Sequence, residues 1–181
     1  MSGNIDRRAQ RTRDLLAQAL MDLGAARGVD AVVVTDLAEK AGVARSTFYA
    51  HYAGKDAFLD QSFSNLIAEL AEIGADDAVV PASPLFRHVA AARAFASALP
   101  KSEAYPAMMA SGEAKLREIV CARLAQQKPD WPATRREDAA VFIAAGCFGL
   151  LRWWMESGVA ADVARIEGAY TRLAHNALQD A

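Results

Sequence analysis

Three observations on the sequence predict an all-α fold. Apolar residues recur at spacings of three and four along almost the whole chain of 181 residues, the period of a half-buried helix. Apart from Val32, Val33 and Val34, no run of β-branched residues sustains the alternation of a strand. Glycines, prolines and small polar residues interrupt the apolar stripes at intervals of helix length.

The elements follow in chain order. A first helix over about 8–27 carries Leu15, Leu16, Ala19, Leu20 and Leu23 on one stripe and ends at Gly28. Thr35 is placed to cap a second helix, about 35–41, whose Leu37, Ala38 and Ala41 face inward and which stops at Gly42. A third helix, about 45–52, follows after a short turn. A fourth runs from Lys55 to about Gly74 with Phe58, Leu59, Phe63, Leu66, Ile67 and Leu70 along one face, and a loop at 76–83 succeeds it. Ser83 as cap with Pro84 at the first position opens a fifth helix that Pro100 ends. Pro106 divides a short sixth from a seventh near 113–127, and the capping-box spacing of Thr134 and Glu137 opens an eighth reaching about Ser157. The last, about 160–179, has Val163, Ile166, Tyr170, Leu173 and Ala177 at core spacing, which makes nine helices in all.

Two helices meeting at a glycine turn form a helix-turn-helix, and the stretch GVARSTFYAHYAGKDAF, residues 42–58, shows what its second helix presents. Phe48, Tyr49 and Tyr52 cannot all enter one core. With Phe48 and Tyr52 inward, one turn apart, the outward face consists of Ser46 and Ala50 flanked by Thr47 and Tyr49. Short side chains let a helix approach base edges in a major groove. Arg45 is then positioned for a bidentate contact to guanine, and Tyr49, His51 and Lys55 supply donors suited to phosphate oxygens. The competing reading packs the exposed rings against a later helix.

Composition bounds the alternatives. A chain 53% hydrophobic can bury a core without staples, and Cys121 and Cys147, isolated and outside any CxxC pair, read as buried small hydrophobes. No signal-peptide core follows the N-terminal charges and no apolar run reaches roughly 20 residues, so a cytoplasmic location with no membrane partner is expected. The formal net charge of −2 hides an asymmetry: residues 1–56 hold eight Lys or Arg against seven Asp or Glu, and the remainder twelve against fifteen. Arg7, Arg8, Arg11 and Arg13 stand near the front beside Asp6 alone, and on the sequence read either as a solvated end or as a basic arm.

The run from Thr35 to Leu59, TDLAEKAGVARSTFYAHYAGKDAFL, together with Gly28, resembles the N-terminal DNA-binding domain of TetR-type (tetracycline-repressor-like) regulators, over about residues 8–60. The resemblance rests on Ala41, Gly42, Val43, Thr47, Phe48, Tyr49 and Lys55 in this order without gaps. It implies a DNA-binding domain at 1–54 and a helical effector-binding and dimerisation domain at 55–181. It further implies a homodimer that binds a palindromic double-stranded operator, as a rule represses, and lets go when a small molecule enters the body. Arg11, Thr35, Arg45, Ser46, Thr47, Tyr49, Ala50, His51 and Lys55 are then the expected DNA-contacting residues, with Arg11 in a flexible arm that reaches phosphates or a minor groove. Ala44 stands where the family commonly carries serine or threonine, so α-helical capping by a hydroxyl is lost there and affinity is expected to lean on Arg45 and the arm.

The uncharged stretch AAVFIAAGCFGLL, Ala139 to Leu151, is apolar on every side and must be buried on every side. One face on its own domain and the other on a partner subunit satisfies this, and a wholly internal helix is the competing arrangement. The expected dimer interface comprises Ala144, Ala145, Phe148, Gly149, Arg152, Ile166 and Tyr170. Phe86, Phe95, Met108, Met109, Phe148 and Trp153 are candidates to line an effector pocket, and serve equally as plain core. His51, His88 and His175 lie far apart and no HExxH or GxSxG occurs, so neither an enzyme, a cofactor nor a metal site is expected. The alternative to a DNA-binding regulator is a helical ligand- or protein-interaction module without sequence-specific DNA binding.

Overall fold

The computed structural model describes residues 2–73 and 82–179. Among the described residues the chain is all-α: α1 Ser2–Arg27, α2 Val34–Ala41, α3 Arg45–His51, α4 Lys55–Ile73, α5 Ser83–Ala91, α6 Arg93–Ala98, α7 Tyr105–Gln127, α8 Ala133–Glu156 and α9 Val163–Ala177, with a 3-10 turn Leu99–Lys101 after α6. The loop expected at 76–83 lies outside the described residues as far as residue 81.

Helices α1–α3 form a small head. Leu16, Ala19 and Leu20 of α1 meet Leu37 and Ala41 of α2 and Phe48 of α3, all at most 8% exposed, while Leu15, expected in the same stripe, faces solvent. Gly28 and Gly42 both hold positive φ, +83° and +66°, where a Cβ would be strained. At Gly42 the amide donates to the Glu39 carbonyl and Val43 donates to Ala38, a Schellman closure of α2 that turns the chain into α3.

Several boundaries differ from expectation. The basic front is not an arm: it forms the opening turns of α1. Helix α2 starts one residue earlier than read, so Thr35 sits inside its first turn and does not cap it. The Asp36 carboxylate reaches back to accept the Val33 amide at 3.3 Å and also pairs with Arg27. The single helix expected between Ser83 and Pro100 breaks at Ala92 into α5 and α6, because α6 must turn to pack on α1, where Phe95 closes over Gly24. Pro106 does not divide two helices. It lies in the first turn of the 23-residue α7, where its missing amide costs nothing. Thr134 likewise lies inside α8 and caps nothing, whereas Arg136 donates to the Pro129 and Trp131 carbonyls before the helix.

The body centres on α7 and α8, with α4 against α7 and α9 against α8. Phe86 packs on Trp154 and Tyr170, and the Tyr170 hydroxyl donates to the Ile143 carbonyl at 3.1 Å. On α9 the buried face is Ile166, Tyr170 and Ala174; Leu173 and Ala177, expected in the core, are exposed. Arg123 of α7 donates to the Ala71 carbonyl in the last turn of α4 at 2.7 Å, placing a cation at that helix end.

Candidate nucleic-acid interface and effector cavity

Helix α3 is anchored by its rings. Phe48 is fully buried and Tyr52, the residue after the helix, is 4% exposed, and both pack on Phe58 of α4 with centroids 5.6 and 4.9 Å away. The opposite face carries Arg45, Ser46, Tyr49, Ala50 and His51, all exposed, with Thr47 half-buried at its edge. Tyr49 is held, not loose: its ring stands edge-on to Phe48 and the Arg45 guanidinium lies 5.9 Å above it. This is a small, polar, cationic surface on a rigid base, the form that enters a major groove. Ala44 is extended and its side chain caps nothing, and its carbonyl accepts the Thr47 and Phe48 amides. Thr35 and Arg11 are exposed on α2 and α1.

Lys55 departs from expectation. Its ammonium donates to the Val29 and Asp30 carbonyls at 3.3 and 3.2 Å, tying the start of α4 to the α1–α2 loop, so it is turned into the protein and not free for a phosphate. Asp30 continues the tie: its carboxylate accepts the Ser102 hydroxyl at 2.6 Å and the Glu103 amide, and the Ser102 hydroxyl holds its pKa below the ordinary carboxylate value. Head and body are thus joined by α4 and by this polar latch.

A cavity of about 160 Å3 opens where head and body meet, walled by α1, α4, α5 and α6 with tips of α7 and α8. Of the six residues expected to line a pocket, Phe95 and Met108 are in its wall. Phe86, Met109 and Phe148 are fully buried in solid core elsewhere, and Trp153 is 48% exposed with Arg165 over its ring. The sequence reading sought a pocket wholly within the body and so missed the α1 wall, Tyr52 and His88. His88 is on α5, and burial pushes its pKa down, which keeps the imidazole neutral at pH 7.

Helix α8 is not buried on every side within the chain. Ala140, Ile143, Ala144, Cys147, Phe148 and Leu151 are enclosed, while Val141 and Phe142 stand 44% and 59% exposed beside Ala145, Gly146 and Gly149. Of the residues expected at a partner interface, Ala144, Phe148, Ile166 and Tyr170 are therefore occupied inside the subunit, and Ala145, Gly149 and Arg152 are available. By length and composition α8 is also apolar enough to cross a membrane, contrary to the sequence reading. Its enclosed face is built into the α7–α9 core, as in the central helix of a folded domain.

A three-helix head with an exposed third helix, joined through one continuous helix to a helical body, defines a helix-turn-helix domain carried on an all-α body. Residues 16–61 match the family described as bacterial regulatory proteins, tetR family. An uncharacterized HTH-type transcriptional regulator of Bacillus subtilis (strain 168), YxbF, is 36% identical over 67 residues, 36% of this chain; the chain spans only 18% of that relative's length. Among solved structures, the dihydroxyacetone kinase operon activator DhaS superposes with a TM-score of 0.71 at 16% identity, covering 91% of this chain and 94% of that one. The regulator FadR from Bacillus subtilis in complex with stearoyl-CoA gives 0.61 at 17% identity, covering 91% and 98%. At such identities the likeness is one of fold.

Proposed function

We propose that this protein is a cytoplasmic repressor that binds a palindromic operator as a homodimer and releases it when a small molecule occupies the cavity between head and body. The observation that carries the DNA reading is the outward face of α3, where Ser46 and Ala50 leave room for base edges and Arg45 is steadied over Tyr49. Arg11 and Thr35 flank this face as phosphate donors, and with Lys55 engaged by carbonyls the backbone contacts fall to them, Tyr49 and His51. The dimer reading is supported by the exposed apolar side chains of α8 and α9, Val141, Phe142, Trp153 and Leu173, each 44–59% exposed, with small residues between them on α8. In a two-fold dimer the two α3 helices must lie about 34–36 Å apart to enter successive major grooves. Helix α4 runs from beside α3 along the cavity wall to α7, so a ligand that displaces it changes this spacing. A differential affinity of about 1.4 kcal/mol shifts the bound-to-released ratio tenfold. That FadR is a regulator found with an acyl-CoA supports a ligand-responsive body on this fold.

Selection of genomic fragments with the purified protein, followed by a reporter driven from the selected site, tests the reading. A palindromic site whose reporter rises when the regulator is deleted is the expected result. Equal affinity for selected and random duplexes would replace it with the interaction-module alternative. Heads crosslinked at operator spacing through engineered cysteines should hold DNA whether or not ligand is present, and release from the crosslinked form would refute the respacing mechanism.

A further inference from the structure

The cavity carries more information than its location. Its wall is apolar through Leu20, Leu59, Phe63, Leu85, Phe95 and Met108. The charged members, Arg13, Asp14 and Glu69, stand on the solvent side, where Gln10 accepts from Arg13 and donates to Asp14 and Glu69, bridging α1 to α4 across the mouth. The other polar groups on the wall are the neutral His88 imidazole, Ser62, the Asn65 amide and the Tyr52 hydroxyl. Tyr52 is 96% buried by its 4% exposure, and its hydroxyl meets no partner within hydrogen-bond geometry, with the Ser62 side chain its nearest polar neighbour. A buried hydroxyl left unpaired is costly unless something completes it.

Size narrows the class. An apolar cavity of about 150 Å3 takes up one benzene ring, so about 160 Å3 admits a single substituted ring or a chain of similar bulk. A long acyl chain of the stearoyl kind exceeds it by a wide margin. Charge narrows it again: an anion would meet two carboxylates against one guanidinium at the mouth and lose its hydration inside. Resting on the ligand-responsive reading above, we infer that the effector is a small neutral molecule of one-ring size bearing a hydroxyl or carbonyl oxygen. That oxygen accepts the hydrogen bond of Tyr52, the residue that closes the recognition helix. The ligand then touches the DNA-binding head directly and wedges α1 from α4 behind the Gln10 bridge.

Calorimetry on the full chain with p-cresol, toluene and p-toluate tests this, with fluorescence anisotropy of a selected operator fragment as a separate readout. Saturable p-cresol binding is expected, with p-toluate at least about tenfold weaker. Tyr52→Phe keeps the ring against Phe48 and Phe58 and should weaken p-cresol about 3- to 10-fold, the worth of one hydrogen bond, while leaving toluene within about twofold. Ala96→Leu, on the wall, should reduce both neutral probes by filling the space, with the melting temperature measured to verify folding. No p-cresol binding to protein that still binds operator overturns the chemical assignment and leaves the regulator reading standing. Equal losses for p-cresol and toluene in Tyr52→Phe overturn the role of Tyr52. Ligand binding as expected in a protein that recognises no genomic fragment supports the cavity's chemistry and removes the regulator reading.

Discussion

Gly112 of α7 sits where three helices converge, and replacing it with alanine separates two opposing effects. A Cβ there would stand 2.8 and 2.9 Å from Phe148 Cζ and Cε1, and closer still to Phe63 Cε1. The rings of Phe63 and Phe148 already meet edge to face, centroids 6.3 Å apart at 86°, so neither can yield toward the other. Phe148 is fully buried and has no free direction, whereas Phe63 borders the cavity and can swing into it. Overpacking of this kind costs about 1–3 kcal/mol, and the gain in helix propensity from glycine to alanine returns about 1 kcal/mol. The expected net loss is about 1 kcal/mol, and with a urea slope of about 1–3 kcal/mol/M the midpoint should fall by about 0.3–1 M. Urea unfolding at fixed protein concentration measures it, since the stability of the proposed dimer would depend on concentration. Gly112→Ala combined with Phe63→Leu should destabilise less than the sum of the two single changes, because the ring that is struck has gone. A Gly112→Ala protein as stable as the wild type would refute the tight three-helix contact.

Three further outcomes are expected. Arg45→Ala should cost about 1–3 kcal/mol on operator with a smaller loss on random DNA, and equal losses in a binding titration would make Arg45 a phosphate contact. Phe142→Asp, on the exposed face of α8, should give monomers in sedimentation at micromolar concentration without lowering helix content, whereas an unchanged oligomeric state would move the interface elsewhere. Because the folded-state pKa of Asp30 lies below its unfolded value of 3.8, its contribution is present above that pH and is lost as pH falls through the folded value. Asp30→Asn should therefore be less stable than wild type at pH 7, with the difference shrinking below pH 4 in parallel denaturation series.

What the sequence determined by itself is the local grammar of the head. Gly42 must close α2 because only a residue tolerant of positive φ makes that turn, and three rings within five positions force one outward, which proved to be Tyr49. The all-α class was legible for the same reason: period and punctuation are written within single helices. Tertiary structure decided whatever depended on a distant neighbour. Nothing near Ala92 announces a break, yet α6 turns there to lay Phe95 on Gly24 of α1. Pro106 carries the same sequence signal whether it ends one helix or begins another. The lysine at 55 reads as a phosphate donor until the Val29 and Asp30 carbonyls, 26 and 25 residues away, claim its ammonium. Which apolar residues of α8 are core and which are surface follows from where α7 and α9 lie, since an all-apolar stretch has no stripe to point with. The cavity is the extreme case. Its wall draws on six helices, and an empty space between elements leaves no periodicity in any one of them.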